Sequence, residues 1–324
     1  MAKNVLVYIE IDSNKVARVS KEIISHALSN FSDSDINGVV IADEKTVNLV
    51  LDDLKKCGVK NLYILIDNLF DTHSTCLFSG VLERFILENK PDILLIGATP
   101  DGRDLAPRLA SKLNIGLTAD CTDLQIDSDG KLLATRPTYG GKMMATIISK
   151  TVPDFATVRP GAFKYNSEIF HNEPELVYIN PDISGLSSLM EIISSENKPK
   201  TEDWTCADII IAGGLGLKTK ENFDLIYKLA ELLKAKPAAS RAAVEQGWAP
   251  QNIQVGQTGN SISPKLYIAF GISGAMQHTV GITNSDKIIA INTDRDAPIM
   301  HLADFAIQDD AVNVINSLIQ KLSN

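Results

Sequence analysis

The chain has 324 residues, 44% of them apolar, and a formal net charge of −9 from 31 basic and 40 acidic side chains. That length and apolar share predict a globular protein of two domains, while the acidic balance opposes the clustered Lys and Arg that a phosphate backbone requires, so nucleic acid is not an expected partner. Cys57, Cys76, Cys121 and Cys206 form no C-x-x-C pair and have no His at ligand spacing, so neither a zinc site nor a disulfide framework is expected.

In chain order, an apolar run starts at Asn4, leaving no space for a leader, and no later run reaches the ~20 apolar residues of a membrane span. A bacterial-type cytoplasmic protein without a membrane span is expected. Apolar runs at 5–9, 38–41, 62–66 and 93–96 alternate with helical-period segments at 16–28, 47–54, 77–87 and 105–113. Parallel strands need crossovers of this length, so the pattern predicts a doubly wound, mostly parallel α/β sheet. After residue 115, turns at Ser128-Asp-Gly130 and Tyr139-Gly-Gly-Lys142 separate strand-like pieces ending at 155–158, which read as an antiparallel extension with hairpins.

The stretch Ser194-Ser-Glu-Asn-Lys-Pro-Lys-Thr-Glu-Asp203 has no apolar residue and reads as a linker. It divides an N-terminal α/β domain, 1–198, from a C-terminal α/β domain, 199–324. The second domain opens with a strand at 207–212, the turn Gly213-Gly-Leu-Gly216, and a helix with Phe223, Ile226, Tyr227, Ala230 and Leu233 on one face. Joining a strand to a helix, that turn is either a phosphate cradle or a tight turn; the third glycine of a dinucleotide fingerprint is missing, and both readings stand.

Ser240-Arg-Ala-Ala-Val-Glu-Gln-Gly247 reads as a short helix with Ser240 as N-cap and Gly247 beyond its end. An Arg at its first position opposes the helix dipole, which points to an electron-rich neighbour. The run 264–270 is a buried strand, and Gly271-Ile-Ser-Gly274 leads into a segment bearing Gln277 and His278. Ser273 is expected to cap that helix, whose free N–H groups accept a pyrophosphate without any Lys. His26, His73, His171 and His301 have no partner pattern. A last helix starts at Asp309 or Asp310, with a stripe of Val314, Ile315, Leu318, Ile319 and Leu322. No Ser-His-Asp set, metal cluster or P-loop Lys is present, so hydrolysis is unsupported.

Taken together, these segments resemble the alpha subunit of electron transfer flavoprotein. The resemblance rests on Leu266-Tyr-Ile-Ala-Phe-Gly-Ile-Ser-Gly-Ala-Met-Gln-His278, Gly281 and Ile288-Ile-Ala-Ile-Asn292, with Met276 where Ile or Val is usual. Residues 237–247 and Val255-Gly-Gln-Thr-Gly259 extend it. In the first domain it runs through Gly97-Ala-Thr-Pro-Asp-Gly-Arg-Asp-Leu-Ala-Pro-Arg-Leu109, Gly116-Leu-Thr-Ala-Asp-Cys-Thr122, Arg136-Pro-Thr-Tyr-Gly-Gly141 and Ala156-Thr-Val-Arg-Pro-Gly161.

The resemblance implies FAD in the C-terminal domain and a beta subunit that contacts the N-terminal one. It places Arg241 over the isoalloxazine, Thr258 near N5 and His278 by the pyrimidine carbonyl. Ser240, Val255, Gly256, Gln257, Gly259 and the turn Ser273, Gly274, Ala275, Met276 and Gln277 would hold the ring, ribityl chain and pyrophosphate. Asn292 and Asp310 would reach the adenosine. Leu215 departs from the Arg common at that turn.

The implied activity is single-electron transfer to or from an acyl-CoA dehydrogenase or reductase. A sharper version is a bifurcating complex in which a second FAD, in the beta subunit, takes hydride from NADH and sends one electron to ferredoxin or flavodoxin. The rival reading is a non-redox subunit whose C-terminal domain holds ADP, NAD or CoA. An independent dehydrogenase is disfavoured because no general base can be named.

Overall fold

The computed structural model describes residues 2–323 apart from 32, 139–142, 171–172, 187–203, 205–206 and 284. The expected turn at Tyr139-Gly-Gly-Lys142, the linker at 194–203 with its 198/199 boundary, Cys206 and His171 all lie outside the described residues. The chain forms two compact units, the first built on Met1–Thr138 and Met144–Glu196 and the second on Asn197–Asn324.

The first unit runs β1 (Lys3–Tyr8), a two-rung hairpin of β2 (Ile11–Asp12) and β3 (Lys15–Val16), α1 (Arg18–Asn30), β4 (Ser34–Ala42), α2 (Glu44–Leu54), β5 (Asn61–Ile66), α3 (Thr75–Asn89), β6 (Ile93–Gly97) and α4 (Pro100–Leu113). It continues through β7 (Leu117–Cys121), β8 (Asp123–Ile126), β9 (Leu132–Thr138), β10 (Met143–Ile147), β11 (Asp154–Val158) and β12 (Glu175–Ile179). Seven strands form one sheet in the order β12-β5-β4-β1-β6-β11-β7, with every neighbouring pair parallel. Helices cover both faces. Ile23, Ile24 and Val50 of α1 and α2 pack with Val7 and Ile64 on one side, and Leu82, Phe85 and Leu109 of α3 and α4 pack with Leu94 on the other.

Local signals place several helix starts. The carboxylate of Asp43 caps α2 by accepting from the Thr46 N–H, and the Thr99 hydroxyl caps α4 by accepting from Gly102, with Pro100 at the first helical position, where its missing N–H has no consequence. The antiparallel extension is present as the three-stranded sheet β10-β9-β8. Residues 155–158 are not part of it. They form β11, which lies between β6 and β7 with parallel register to both and is buried at all five positions; burial on both faces is the mark of an interior parallel strand.

The second unit comprises β13 (Ile209–Gly213), α5 (Lys220–Leu232), β14 (Lys236–Ala239), α6 (Arg241–Glu245), β15 (Leu266–Phe270), α7 (Met276–Thr279), β16 (Lys287–Asn292), α8 (Pro298–Leu302), β17 (Phe305–Gln308) and α9 (Ala311–Leu322). Its five strands are ordered β14-β13-β15-β16-β17 and all pair in parallel. One face is covered by α5 and α9 through Phe223, Ile226, Ile315 and Ile319; the other packs Ile262, Ile272, Ile282 and Ile299 against Tyr267 and Ala290. The chain leaves β13 for β14 on one side and later returns to lay β15 on the other. The carboxyl ends of β13 and β15 therefore frame a topological switch point, where open α/β sheets leave a crevice. Among the described residues, no helix is long and apolar enough to cross a membrane.

Candidate functional site

At that switch point lies a cavity of about 610 Å³, lined from Leu215 and Gly216 after β13, Ser240, Arg241, Ala242 and Glu245 after β14, Gly271, Ile272, Ser273, Ala275, Gln277 and His278 after β15, and Asn292, Asp294 and Ala297 after β16. Gln254, Val255, Gly256 and Thr258 close it from the segment between α6 and β15. Four strand ends and one returning loop thus converge on one volume within the second unit.

The loop 254–260 is folded tightly. Val255 N–H donates to Ala239 O at 2.9 Å, Gly256 N–H to Asn260 O at 3.1 Å and Gln257 N–H to Gln277 O at 2.7 Å. Gly256 has φ +131°, and a Cβ there would lie 2.5 Å from Gln277 O, so only glycine lets the two segments meet. The Gln254 side-chain amide donates to Thr258 Oγ1 at 3.0 Å. With that lone pair engaged, the Thr258 hydroxyl keeps its proton for an acceptor in the cavity.

The turn after β15 differs from expectation. Ser273 does not cap the helix: α7 begins at Met276 with Ala275 in the cap position and no side-chain cap. Gly274 is the cause, because its φ of +79° is left-handed and a right-handed helix cannot start through it. Among the described residues, no acceptor takes the backbone N–H groups of Ser273, Gly274 or Ala275. These are donors available to an anion. They matter because the charged side chains lining the cavity are one Arg and two carboxylates, Arg241 against Glu245 and Asp294.

Arg241 has the electron-rich neighbour that its position implied, and it is Glu245, one turn along the same helix. Nε donates to Oε1 at 2.7 Å, with 65% of the Arg241 side chain exposed. Ser240 caps α6 as expected, accepting from Ala243 N–H, and Gly247 follows with φ +71°.

His278 is 7% exposed. Its Nε2 lies 2.8 Å from Tyr267 Oη, and Nδ1 is buried without a hydrogen-bond partner. Burial pushes its pKa down to about 4, with the backbone of Val255 offsetting only part of the effect. The imidazole is therefore neutral at pH 7.

Asn292 lines the cavity, but its amide serves the turn: Nδ2 donates to Ile272 O at 2.8 Å, and Oδ1 accepts from Asp294 N–H at 3.0 Å. Gln257, Gly259, Gly274, Met276 and Asp310 are not among the lining residues. The Asp310 carboxylate caps α9, accepting from Val312 and Asn313 N–H, and pairs with Lys218 at 3.2 Å. Those partners hold its carboxyl below the usual range, Lys218 foremost. Sequence reasoning overlooked Glu245, Gln254 and Asp294. Glu245 alone carried a signal, the i to i+4 spacing from Arg241.

Residues 5–179 match the family model described as electron transfer flavoprotein domain, and residues 203–283 match the electron transfer flavoprotein FAD-binding domain. The electron transfer flavoprotein subunit alpha of Thermoanaerobacterium thermosaccharolyticum is 39% identical, over 99% of this chain and 98% of its own. The chain belongs to the electron transfer flavoprotein alpha-subunit family. Protein FixB of Clostridium saccharobutylicum is 41% identical over 98% of this chain and 95% of its own, and protein FixB of Bradyrhizobium diazoefficiens is 38% identical over 98% and 87%. Among solved structures, a putative thiamin diphosphate-dependent enzyme from Mycobacterium smegmatis reaches a TM-score of only 0.23 at 10% identity over 93% of this chain and 53% of its own, too low to bear on the fold.

The family's FAD-binding domain gives the second unit its cofactor, FAD, and the site fits it. The cavity is of cofactor size, and the amides of Ser273, Gly274 and Ala275 are unbonded.

Proposed function

We propose that the chain is the alpha subunit of a heterodimer with an electron transfer flavoprotein beta subunit and carries single electrons to or from an acyl-CoA dehydrogenase or reductase. In this reading the N-terminal domain, 1–198, contacts the beta subunit, the C-terminal domain, 199–324, holds FAD, and the particle works in a bacterial cytoplasm. Bound FAD supplies the one-electron chemistry. The residues around it supply placement. Amides of Ser273, Gly274 and Ala275 receive the pyrophosphate, Thr258 donates its hydroxyl proton, Arg241 sets positive charge beside the ring system, and Ser240 fixes the helix that carries it.

The observation that carries this reading over an independent dehydrogenase is the absence, among the lining residues, of a group free to abstract a proton. His278 is neutral and bonded to Tyr267, Glu245 is tied to Arg241, and the Asp294 carboxylate is engaged in its own turn, accepting from Asp296 N–H at 2.9 Å. A carrier needs no such group. The family membership supports the beta partner. The bifurcating version, with a second FAD in the beta subunit and ferredoxin or flavodoxin as acceptor, rests on the resemblance alone.

Anaerobic titration of the copurified complex tests the proposal. Visible flavin absorbance and stepwise one-electron reduction are expected, and a second flavin reduced by NADH marks the bifurcating version. Colourless protein that takes up no added FAD would leave the non-redox nucleotide-binding subunit as the reading.

A further inference from the structure

We propose that the cavity holds the pyrophosphate of its cofactor on neutral donors alone, without a counter-charge, so that rising ionic strength does not loosen the complex. The inference rests on FAD occupying this cavity.

The argument starts from the charges of the wall. Among the described residues that line the cavity, the charged side chains are Arg241, Glu245 and Asp294, and burial keeps His278 neutral. One positive and two negative groups leave the lining with a single net negative charge. The one cation is already matched, since Arg241 pairs with Glu245 at 2.7 Å. Lys218 and Arg295, the cations nearest to the lining residues along the chain, do not line the cavity. Lys218 pairs with Asp310, and Arg295 lies on an exposed turn between two carboxylates, Asp294 and Asp296.

What the wall offers an anion is therefore dipolar: the unbonded amides of Ser273, Gly274 and Ala275 and the hydroxyl of Thr258, whose oxygen already accepts from Gln254. Where the wall meets the end of β13 it presents an apolar side chain, Leu215, 51% exposed. Hydrogen bonds from neutral donors act at contact, inside any ion atmosphere, so salt barely weakens them. Repulsion between net charges is long-ranged and does respond. The chain carries −9 and the pyrophosphate is an anion, so their mutual field opposes binding until ions screen it. Affinity for FAD should then hold or rise with salt, the reverse of a site built on free Lys or Arg.

The test is the FAD dissociation constant of the full-length chain, read by equilibrium dialysis at ~10 mM and ~1 M potassium chloride, between which the screening length falls from ~30 to ~3 Å. An equal or smaller constant at high salt is expected. Leu215→Arg sets a cation on the same wall; its complex should be about tenfold tighter at low salt, the gain of one charged hydrogen bond, and should lose most of that gain at high salt. Arg295→Gln, outside the lining, should leave both constants unchanged. A constant that grows severalfold with salt in the unsubstituted chain, or one that Arg295→Gln raises at low salt alone, overturns the proposal, because a cation then reaches the pyrophosphate. A Leu215→Arg complex as indifferent to salt as the unsubstituted one overturns it too. If Leu215→Arg does not fold, the salt series of the unsubstituted chain decides. A chain that takes up no FAD at either salt refutes the flavin reading, and ADP in the same series then decides the charge assignment: weaker binding at high salt overturns it, and equal or tighter binding upholds it. Uptake of neither ligand overturns both.

Discussion

At the scale of single residues, charge outweighs hydrogen bonding in setting a flavin potential, and on the proposed placement of the flavin the pair Arg241–Glu245 would decide how much charge is felt. A unit charge ~4 Å away at an effective dielectric of ~20 contributes ~4 kcal/mol, which at ~1.4 kcal/mol and ~59 mV per decade is roughly 170 mV. That is a ceiling, since Arg241 is mostly exposed and neutralised by Glu245 at 2.7 Å. Arg241→Ala is expected to lower the one-electron potential by some tens of millivolts, and Glu245→Gln to raise it; reductive titration against dyes of known potential reads both. Equal potentials in all three proteins would remove Arg241 from its role. His278 supplies a second test. Its folded pKa of about 4 lies below the unfolded 6.5, so acid protonates the unfolded chain first. The stability tied to the neutral ring is fully present above pH ~6.5 and is lost as pH falls toward 4, about 3 kcal/mol over the window. His26, also lowered by burial, contributes in the same direction. The comparison is therefore between the unsubstituted chain and His278→Gln in urea unfolding, where the difference should shrink as pH drops.

At the scale of elements, the site depends on turns more than on helices, since α6 and α7 span five and four residues. Gly256→Ala puts a methyl 2.5 Å from Gln277 O at a φ of +131°, which forces apart the two segments that enclose the cavity. FAD binding should be lost while the far-UV spectrum is kept, and retention of flavin through gel filtration would contradict this. The same scale shows what was legible beforehand. The strands β1, β4, β5, β6, β13 and β15 were readable because each is a short apolar run bounded by turn residues. The direction of β11 was not, because a run buried on both faces carries no mark of whether its neighbours are parallel. β14 and β17 were passed over, one containing Pro237 and the other with all four residues exposed. The Ser273 cap failed on a single dihedral at Gly274 that a serine signal does not reveal. Tyr267 was legible as core, and its bond to His278 only from the fold.

At the scale of the whole molecule, all cavity-lining residues belong to the second unit, which has its own five-stranded sheet with an apolar core on each face. Residues 199–324 expressed alone should therefore melt cooperatively and take up FAD. A fragment that folds yet stays colourless would mean that the site needs more than this unit. The family and the cofactor were accessible from sequence because the signature segments are local. The separation of a core that makes the fold from loops that make the site was not, since it follows from the order β14-β13-β15-β16-β17.

The three unbonded amides at Ser273, Gly274 and Ala275 bear on the life of the chain before it meets its cofactor. Cofactor binding to the folded form adds stability by mass action. Newly made protein in a cell short of riboflavin would then be the fraction most exposed to proteolysis, and flavin supply would set how much of this subunit accumulates.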